Sequence, residues 1–185
     1  MTETNGILLD ADIVSHFIAA GRQSLLREVF NGHYLMLVDQ VYAESVHCPW
    51  DSSRKGIVDR WIEECGIIRI AFPSDLSSNV VDEYFRLKAE QPRLGKGERA
   101  CMSIARFHRD IIASSNFRDV APYCSLHGIE YLGMLDVLWI ALHKGLIEEA
   151  EANCIIELSI RMDNARFPVS LIEQYSPDRD LSGWL

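Results

Sequence analysis

Hydrophobic and polar positions alternate with two different periods along this chain. The first patterned stretch, Ile7-Leu8-Leu9-Asp10-Ala11-Asp12-Ile13-Val14, is an apolar run broken by two carboxylates. A near-continuous apolar run predicts a strand covered on both faces, and ligand-facing polar groups of open α/β sheets lie just beyond the C-terminal ends of such strands. Asp10 and Asp12 therefore read in two ways: as the first corner of a site, or as local punctuation in which Asp10 ends the strand and Asp12 caps the next helix. Ile13 to Ala20 continues at helical spacing and Gly21 ends it. Tyr34 to Val38 is a second short apolar segment, after which Asp39 can cap a helix that sets Gln40 and Glu44 on one face.

The stretch from Cys48 to Lys55, with Pro49, Asp51 and two serines, has loop composition and leads into a helix carrying Ile57, Val58, Trp61, Ile62 and Cys65, closed by Gly66. Ile67 to Ile70 predicts a short strand. Pro73-Ser74-Asp75 predicts a loop before a helix with Leu76, Val80, Val81, Tyr84, Phe85 and Leu87. Gln91 to Glu98 is rich in Pro and Gly and opens a helix whose buried side is Cys101, Ile104, Ala105 and Phe107. Glu98 falls in the first turn of that helix, where an acid complements the dipole; Lys96 and Arg99 flank it, as a surface ion pair or a phosphate-handling rim. Asp110 to Ser114 predicts another buried strand ending in the polar turn Ser115 to Asp119. Asp119 is the expected cap of a helix with Val120, Tyr123, Cys124 and His127, and Pro122 falls in its first turn. Gly128 ends it, Ile129 to Leu132 predicts a last strand, and helices follow over Met134 to Leu142, Glu148 to Met162 and Pro168 to Tyr175.

This alternation with short connections predicts an α/β fold, a central parallel sheet flanked by helices in three layers, as a single domain over 1–185 with its core at about 6–175. Right-handed crossovers would bring the ends of the first and fourth strands to one rim, which collects Asp10, Asp12, Asn116 and Asp119. Composition changes this picture little: 185 residues, 48% hydrophobic and 24% charged, suit one globular domain. A polar, acidic start and the lack of a long apolar run predict a cytoplasmic protein without a membrane segment. Five widely spaced cysteines and six scattered histidines predict reduced core thiols and no zinc site. A net charge of −9 argues against bulk electrostatic binding of nucleic acid, though not against an acidic site that handles phosphates through divalent cations.

In order along the chain, LLDADIV, VYAES, LGKGERACMSIAR, IIASSNFRD and HGIEYLGMLDVLWIALHKGLI resemble the PIN-domain ribonucleases, particularly the VapC-like toxin group, over Gly6 to Tyr175. The resemblance implies an acidic pocket holding Mg2+ or Mn2+ and hydrolysing RNA. It also implies a small antitoxin that covers the acidic rim, and a homodimer. Asp10 matches the first catalytic Asp, Asp12 a neighbouring polar position often filled by Asn, Glu44 the Glu on the next helix segment and Glu98 the Glu after the Gly-containing loop. The fourth stretch departs from the family, which places one or two Asp after the strand where this chain has Ser114-Ser115-Asn116, with Asp119 beyond.

The expected set is Asp10, Glu44, Glu98 and Asp119 as catalytic residues, with Asp10, Asp12, Glu98, Asn116 and Asp119 around the metal and Lys96, Arg99 and Arg118 as phosphate contacts. Carboxylates so crowded would repel one another until a cation binds, which would raise the pKa of some of them. Two other readings compete. One keeps the fold as an RNA- or protein-binding module weakened at Asn116. The other follows the Asp-x-Asp after an apolar strand, which also opens the haloacid-dehalogenase phosphatases, although their downstream acidic pair is missing at Ser114-Ser115-Asn116.

Overall fold

The computed structural model describes residues 5–47 and 51–185. The expectations for the first four residues, and for Cys48 and Pro49 in the loop, lie outside them. The chain forms a five-stranded, all-parallel sheet flanked by helices in a three-layer α/β/α arrangement. Strands β1 (Gly6–Leu9), β2 (Tyr34–Val38), β3 (Ile68–Ile70), β4 (Ile111–Ala113) and β5 (Tyr131–Leu132) lie in the order β3-β2-β1-β4-β5. The chain thus steps outward from β1 to β3 and then returns past it to β4, so the reversal of strand order falls between β1 and β4. In open α/β sheets the crevice beyond the strand ends at such a reversal is where ligands bind.

The helices are α1 (Ala11–Ala19), α2 (Leu25–Val29), α3 (Asp39–Val46), α4 (Arg54–Cys65), α5 (Ser78–Glu90), α6 (Lys96–His108), α7 (Phe117–His127), α8 (Met134–His143) and α9 (Glu149–Asp163). β1 is buried throughout, as an apolar strand between two helical layers must be. Helix α6 lies against β1, β2 and β4 and carries α3, α5 and α7 on its other sides, while α1 packs on α9. No helix among the described residues is long and apolar enough to cross a membrane.

Several boundaries differ from the periodicity. Asp10, not Asp12, caps α1: the strand ends at Leu9, and the Asp10 carboxylate accepts from the Ala11 amide at 2.8 Å. Val38 rather than Asp39 is the cap of α3, which begins directly after β2, and Asn116 rather than Asp119 is that of α7, which begins after a turn of three residues beyond β4. Pro122 therefore sits inside α7 and not in its first turn. The Pro168–Tyr175 helix is reduced to one 3-10 turn, Ile172–Gln174. Cys101 and Cys124 are buried free thiols as expected, but Cys154 is exposed, and Phe107 lies on the solvent side of α6. Helix α2, between Gly21 and β2, has too few turns to show a period.

One buried ion cluster joins three helices. Glu83 of α5 accepts from Arg86 at 2.8 and 2.6 Å and from the Tyr123 hydroxyl of α7 at 2.6 Å, and it pairs with Arg106 of α6 at 2.6 Å. Burial alone would push its carboxyl up; the donors of Arg86, Tyr123 and Arg106 outweigh that and hold it down to about 2. A depressed pKa means that Glu83 stabilises the fold fully above the usual carboxylate range and stops doing so as pH falls toward 2. Urea unfolding of Glu83→Gln should show the variant well below wild type at pH 6, with the gap closing progressively between pH 4.5 and 2.5; a gap independent of pH would show that the charge of Glu83 is not what binds the helices.

Candidate active site

The geometry begins with backbone pairing. β1 pairs with β4 in the register Leu9 to Ala113, and the ladder runs one residue further, through the Asp10 amide to the Ala113 carbonyl at 2.9 Å. Asp10 and Ser114 thus leave the sheet side by side. The Ser114 hydroxyl donates to Asp10 Oδ2 at 2.8 Å and accepts from the Asn116 amide at 3.1 Å, so one serine fixes both the carboxylate and the turn into α7. Asp10 is 2% exposed.

Glu98 arrives from α6. Its Oε2 accepts from the Gly95 amide at 2.8 Å, closing the first turn of the helix, and its Oε1 accepts from the Asn116 side-chain amide. The same Asn116 nitrogen donates to Asp119 Oδ2 at 2.9 Å. Glu44, near the end of α3, reaches the Gly97 amide at 3.2 Å. A side chain there would force a shift: a Cβ on Gly97 would stand 2.7 Å from Glu44 Oε2 and 2.9 Å from Val41 Cγ2, with Asp10 Oδ1 in ordinary contact at 3.5 Å. Gly97 therefore allows the carboxyl groups of Asp10 and Glu44 to come close to one backbone position.

Electrostatics follow from the crowding. Burial pushes the Asp10 carboxyl up, and the negative charges of Asp12 and Glu98 add to it, against hydrogen bonds from Ser114 and Ala11, to about 8. Glu98 is also raised, first by burial and further by Asp12 and Asp119, while Gly95 and Asn116 pull it back. Asp12 reaches solvent, yet the protein packed around its carboxyl raises it, with His16 opposing and Asp163 adding. The expected rise in carboxylate pKa thus falls chiefly on Asp10.

Asp12, Asn116, Arg118 and Asp119 line a cleft of about 750 Å3 along the strand ends. Arg99 is elsewhere: it is buried, with its guanidinium 5.3 Å over the Tyr84 ring of α5, so it is not placed to contact a phosphate in the cleft. Lys96 is exposed at the first position of α6 and does not line the cleft. The cleft also contains residues that the sequence reading passed over. His16, one helical turn after Asp12, is buried, and its Nδ1 lies 2.6 Å from Asp163 Oδ2 at the end of α9. An imidazole with one nitrogen fixed by a carboxylate keeps the other for proton transfer. The Asp12-x-x-x-His16 spacing was the available signal for this pair, whereas its partner Asp163 is 147 residues away.

The chain matches no family model and no curated protein. The chemistry of the site must be judged on its own donors. They are oxygens, carboxylates from four segments with the Asn116 amide among them, the kind of set that hard cations such as Mg2+ and Mn2+ take. Among the described residues no three His, Cys, Asp or Glu side chains stand converged as a metal-holding group. Hydrogen-bond donors explain that spacing. Ser114 holds Asp10, and the Asn116 amide holds Glu98 and Asp119, satisfying lone pairs that a cation would otherwise take. In kind, the residues fit a divalent cation: a cation would offset both the burial that chiefly raises Asp10 and the added repulsion of Asp12 and Glu98, and half a turn of the Asn116 amide would present Oδ1 in place of the nitrogen.

Two measurements test these electrostatics. Because the native state holds the Asp10 proton up to about pH 8 and the unfolded chain releases it near 4, the stability it contributes is complete at low pH and is lost as pH rises through that window. In EDTA, Asp10→Asn should gain on wild type in melting temperature steadily from pH 5 to 8; parallel curves would refute the raised pKa. Asn116→Asp replaces a donor shared by two carboxylates with a further charge. It should lower the melting temperature in EDTA by roughly 4–8 °C and respond more strongly than wild type to Mn2+. Identical melting with and without Mn2+ in both proteins would exclude a cation site at Asn116.

Proposed function

We propose that this protein is a divalent-metal-dependent ribonuclease of the PIN-like kind, hydrolysing RNA phosphodiesters at the C-terminal edge of its sheet. The observation that carries this reading is the pairing of buried Asp10 with half-buried Glu98, brought from β1 and α6 to the reversal of strand order and held by Ser114 and Asn116 of the β4 turn. Carboxyls whose pKa is raised, first by burial and further by neighbouring acids, are costly to a fold, and such clusters concentrate at sites of chemistry.

Asp10 and Glu98 would hold the cation, Asp12 and Glu44 would act directly or through water, and Asn116 and Asp119 would complete the pocket. A bound Mg2+ or Mn2+ ion supplies an activated water and offsets charge on the phosphate. Ser114 keeps the Asp10 carboxylate oriented. Of Lys96, Arg99 and Arg118, it is Arg118, exposed on the cleft wall, that is placed to meet a neighbouring phosphate. On this reading the protein works in the cytoplasm, a small antitoxin would cover the acidic rim, and the working form would be a homodimer.

One observation favours a second reading, a binding module without catalysis. The Asn116 amide already satisfies Glu98 and Asp119, which lessens their need for a cation. Cleavage of single-stranded RNA in Mn2+ separates the two. Wild type should cut. Ser114→Ala should lose about tenfold, as outer partners of metal ligands do, and Asp10→Asn and Glu98→Gln should each lose more than about 100-fold. RNA that stays intact with wild-type protein, while still binding to it, would favour the binding module.

A further inference from the structure

A second cavity adjoins the acidic cleft. It has a volume of about 230 Å3 and shares Ser115, Arg166 and Pro168 with the cleft. Its apolar walls are Met134 and Leu135 at the start of α8, Phe167 after α9, and Tyr175. The volume is below the range of about 300–1,000 Å3 that holds drug-sized ligands, and suits one flat ring system. The walls are held in place. Buried Asp136 caps α8 through the Gly133 amide at 2.7 Å, accepts from the Tyr175 hydroxyl at 2.5 Å and pairs with Arg179. The Phe167 ring sits edge-on to the His16 ring of the cleft at 5.7 Å between centroids, so the two spaces meet across a pair of aromatic rings.

At the junction is a polar group with nothing to bind. The Ser115 hydroxyl is buried from water and has no hydrogen-bond partner among the described residues, although its neighbours Ser114 and Asn116 are both engaged with the carboxylates. A buried hydroxyl left unpaired costs free energy, and in a native structure it points to something that completes it. Arg166 and Asp178 add a charged donor and an acceptor to the same lining.

We infer that this cavity binds one unstacked nucleobase of single-stranded RNA, next to the phosphodiester to be cleaved at the Asp10 and Glu98 site; the assignment of RNA rests on the hydrolase reading above. Consecutive Cα atoms are only about 3.8 Å apart, so Ser115 places the cavity mouth within one nucleotide of the carboxylates. Aromatic walls stack a base without regard to its identity, and the polar edge of Ser115, Arg166 and Asp178 reads its rim; splayed-out bases are what proteins recognise in single-stranded RNA. A duplex, whose bases stay stacked, does not present one.

Uncharged nucleosides test the cavity without cation or catalysis. In NMR titrations at millimolar concentration, at least one of adenosine, guanosine, cytidine and uridine should shift resonances of Ser115, Phe167 and Tyr175, and ribose should not. Phe167→Ala should weaken binding by about tenfold or more, the effect of losing a stacking partner. Ser115→Ala, which removes only an unpaired hydroxyl and should leave melting unchanged or slightly raised, should weaken it up to about tenfold. The inference is overturned by ribose binding as well as the nucleosides, by binding indifferent to both substitutions, or by the cavity taking N-acetyl-tryptophanamide and no nucleoside, which would make it a protein contact. RNA cleavage without nucleoside binding would remove the base pocket alone; nucleoside binding without cleavage would remove the hydrolase alone.

Discussion

The pairing of β1 with β4 is the constraint from which the site follows. These strands come from opposite ends of a long excursion through β2 and β3, and each end of the pair is tied by a side chain. At the start, the Asp110 carboxylate accepts from the Gly6 amide at 3.0 Å; at the finish, the Ser114 hydroxyl donates to Asp10 at 2.8 Å. A slip of the register by one residue would turn every side chain of the strand to the other face and separate Asp10 from Ser114. The closure of this pair across 104 residues thus makes both the middle of the core and the deepest part of the acidic rim.

The structure supports the rim's charge on the surrounding core. Asp10, with a carboxyl pushed up to about 8, sits directly after a strand that is fully buried, and the Cys101 thiol lies beneath it with its Sγ 3.9 Å from the Leu9 carbonyl. Such a carboxyl has poor access to water and is held by two hydrogen bonds, from Ser114 and the Ala11 amide. Further out, Glu98 and Asp119 share the Asn116 amide, and Glu44 rests on the Gly97 amide. Neutral donors thus engage the acidic groups of the rim, and the Asn116 amide bridges two of them. The Glu83 cluster on the other side of α6 works in reverse, with two arginines and a tyrosine surrounding one buried acid, and it fixes the helices that carry Glu98 and Asp119.

Two acids show how far local pattern can mislead. Glu98 and Asp136 each stand three residues after a glycine at the start of a helix, and each accepts from that glycine's amide. Locally they are the same feature. Their second oxygens differ in fate: that of Glu98 meets Asn116 in the acidic rim, while Asp136 is enclosed by Tyr175 and Arg179 and holds the C-terminal segment to α8. Arg99 makes the same point among the bases. Its place beside Glu98 in sequence suggested a phosphate contact, but one residue along a helix is a turn of about 100 degrees, and that turns it inward onto Tyr84.

What the amino-acid order determined by itself was the set of elements and their type. Five short apolar runs, separated by helical periods, required a parallel sheet between helices, and the polar residues at the ends of the first and fourth runs required a rim there. Those signals are local, carried by burial periodicity and by the short range of glycine and cap chemistry, which is why they give the five strands and the longer helices but misplace helix starts by up to three residues, overextend the Pro168–Tyr175 segment and miss the short helix α2. The tertiary structure decided which polar residues face one another. The order of the strands put Asp10 beside Ser114, and the His16 to Asp163 and Asn116 to Glu98 contacts join residues far apart along the chain, where no period or spacing reaches. Carboxylate pKa values, the unpaired Ser115 hydroxyl and the aromatic cavity beside it exist only once those distant segments are packed, because desolvation and close approach are properties of the folded surroundings and not of any stretch of sequence.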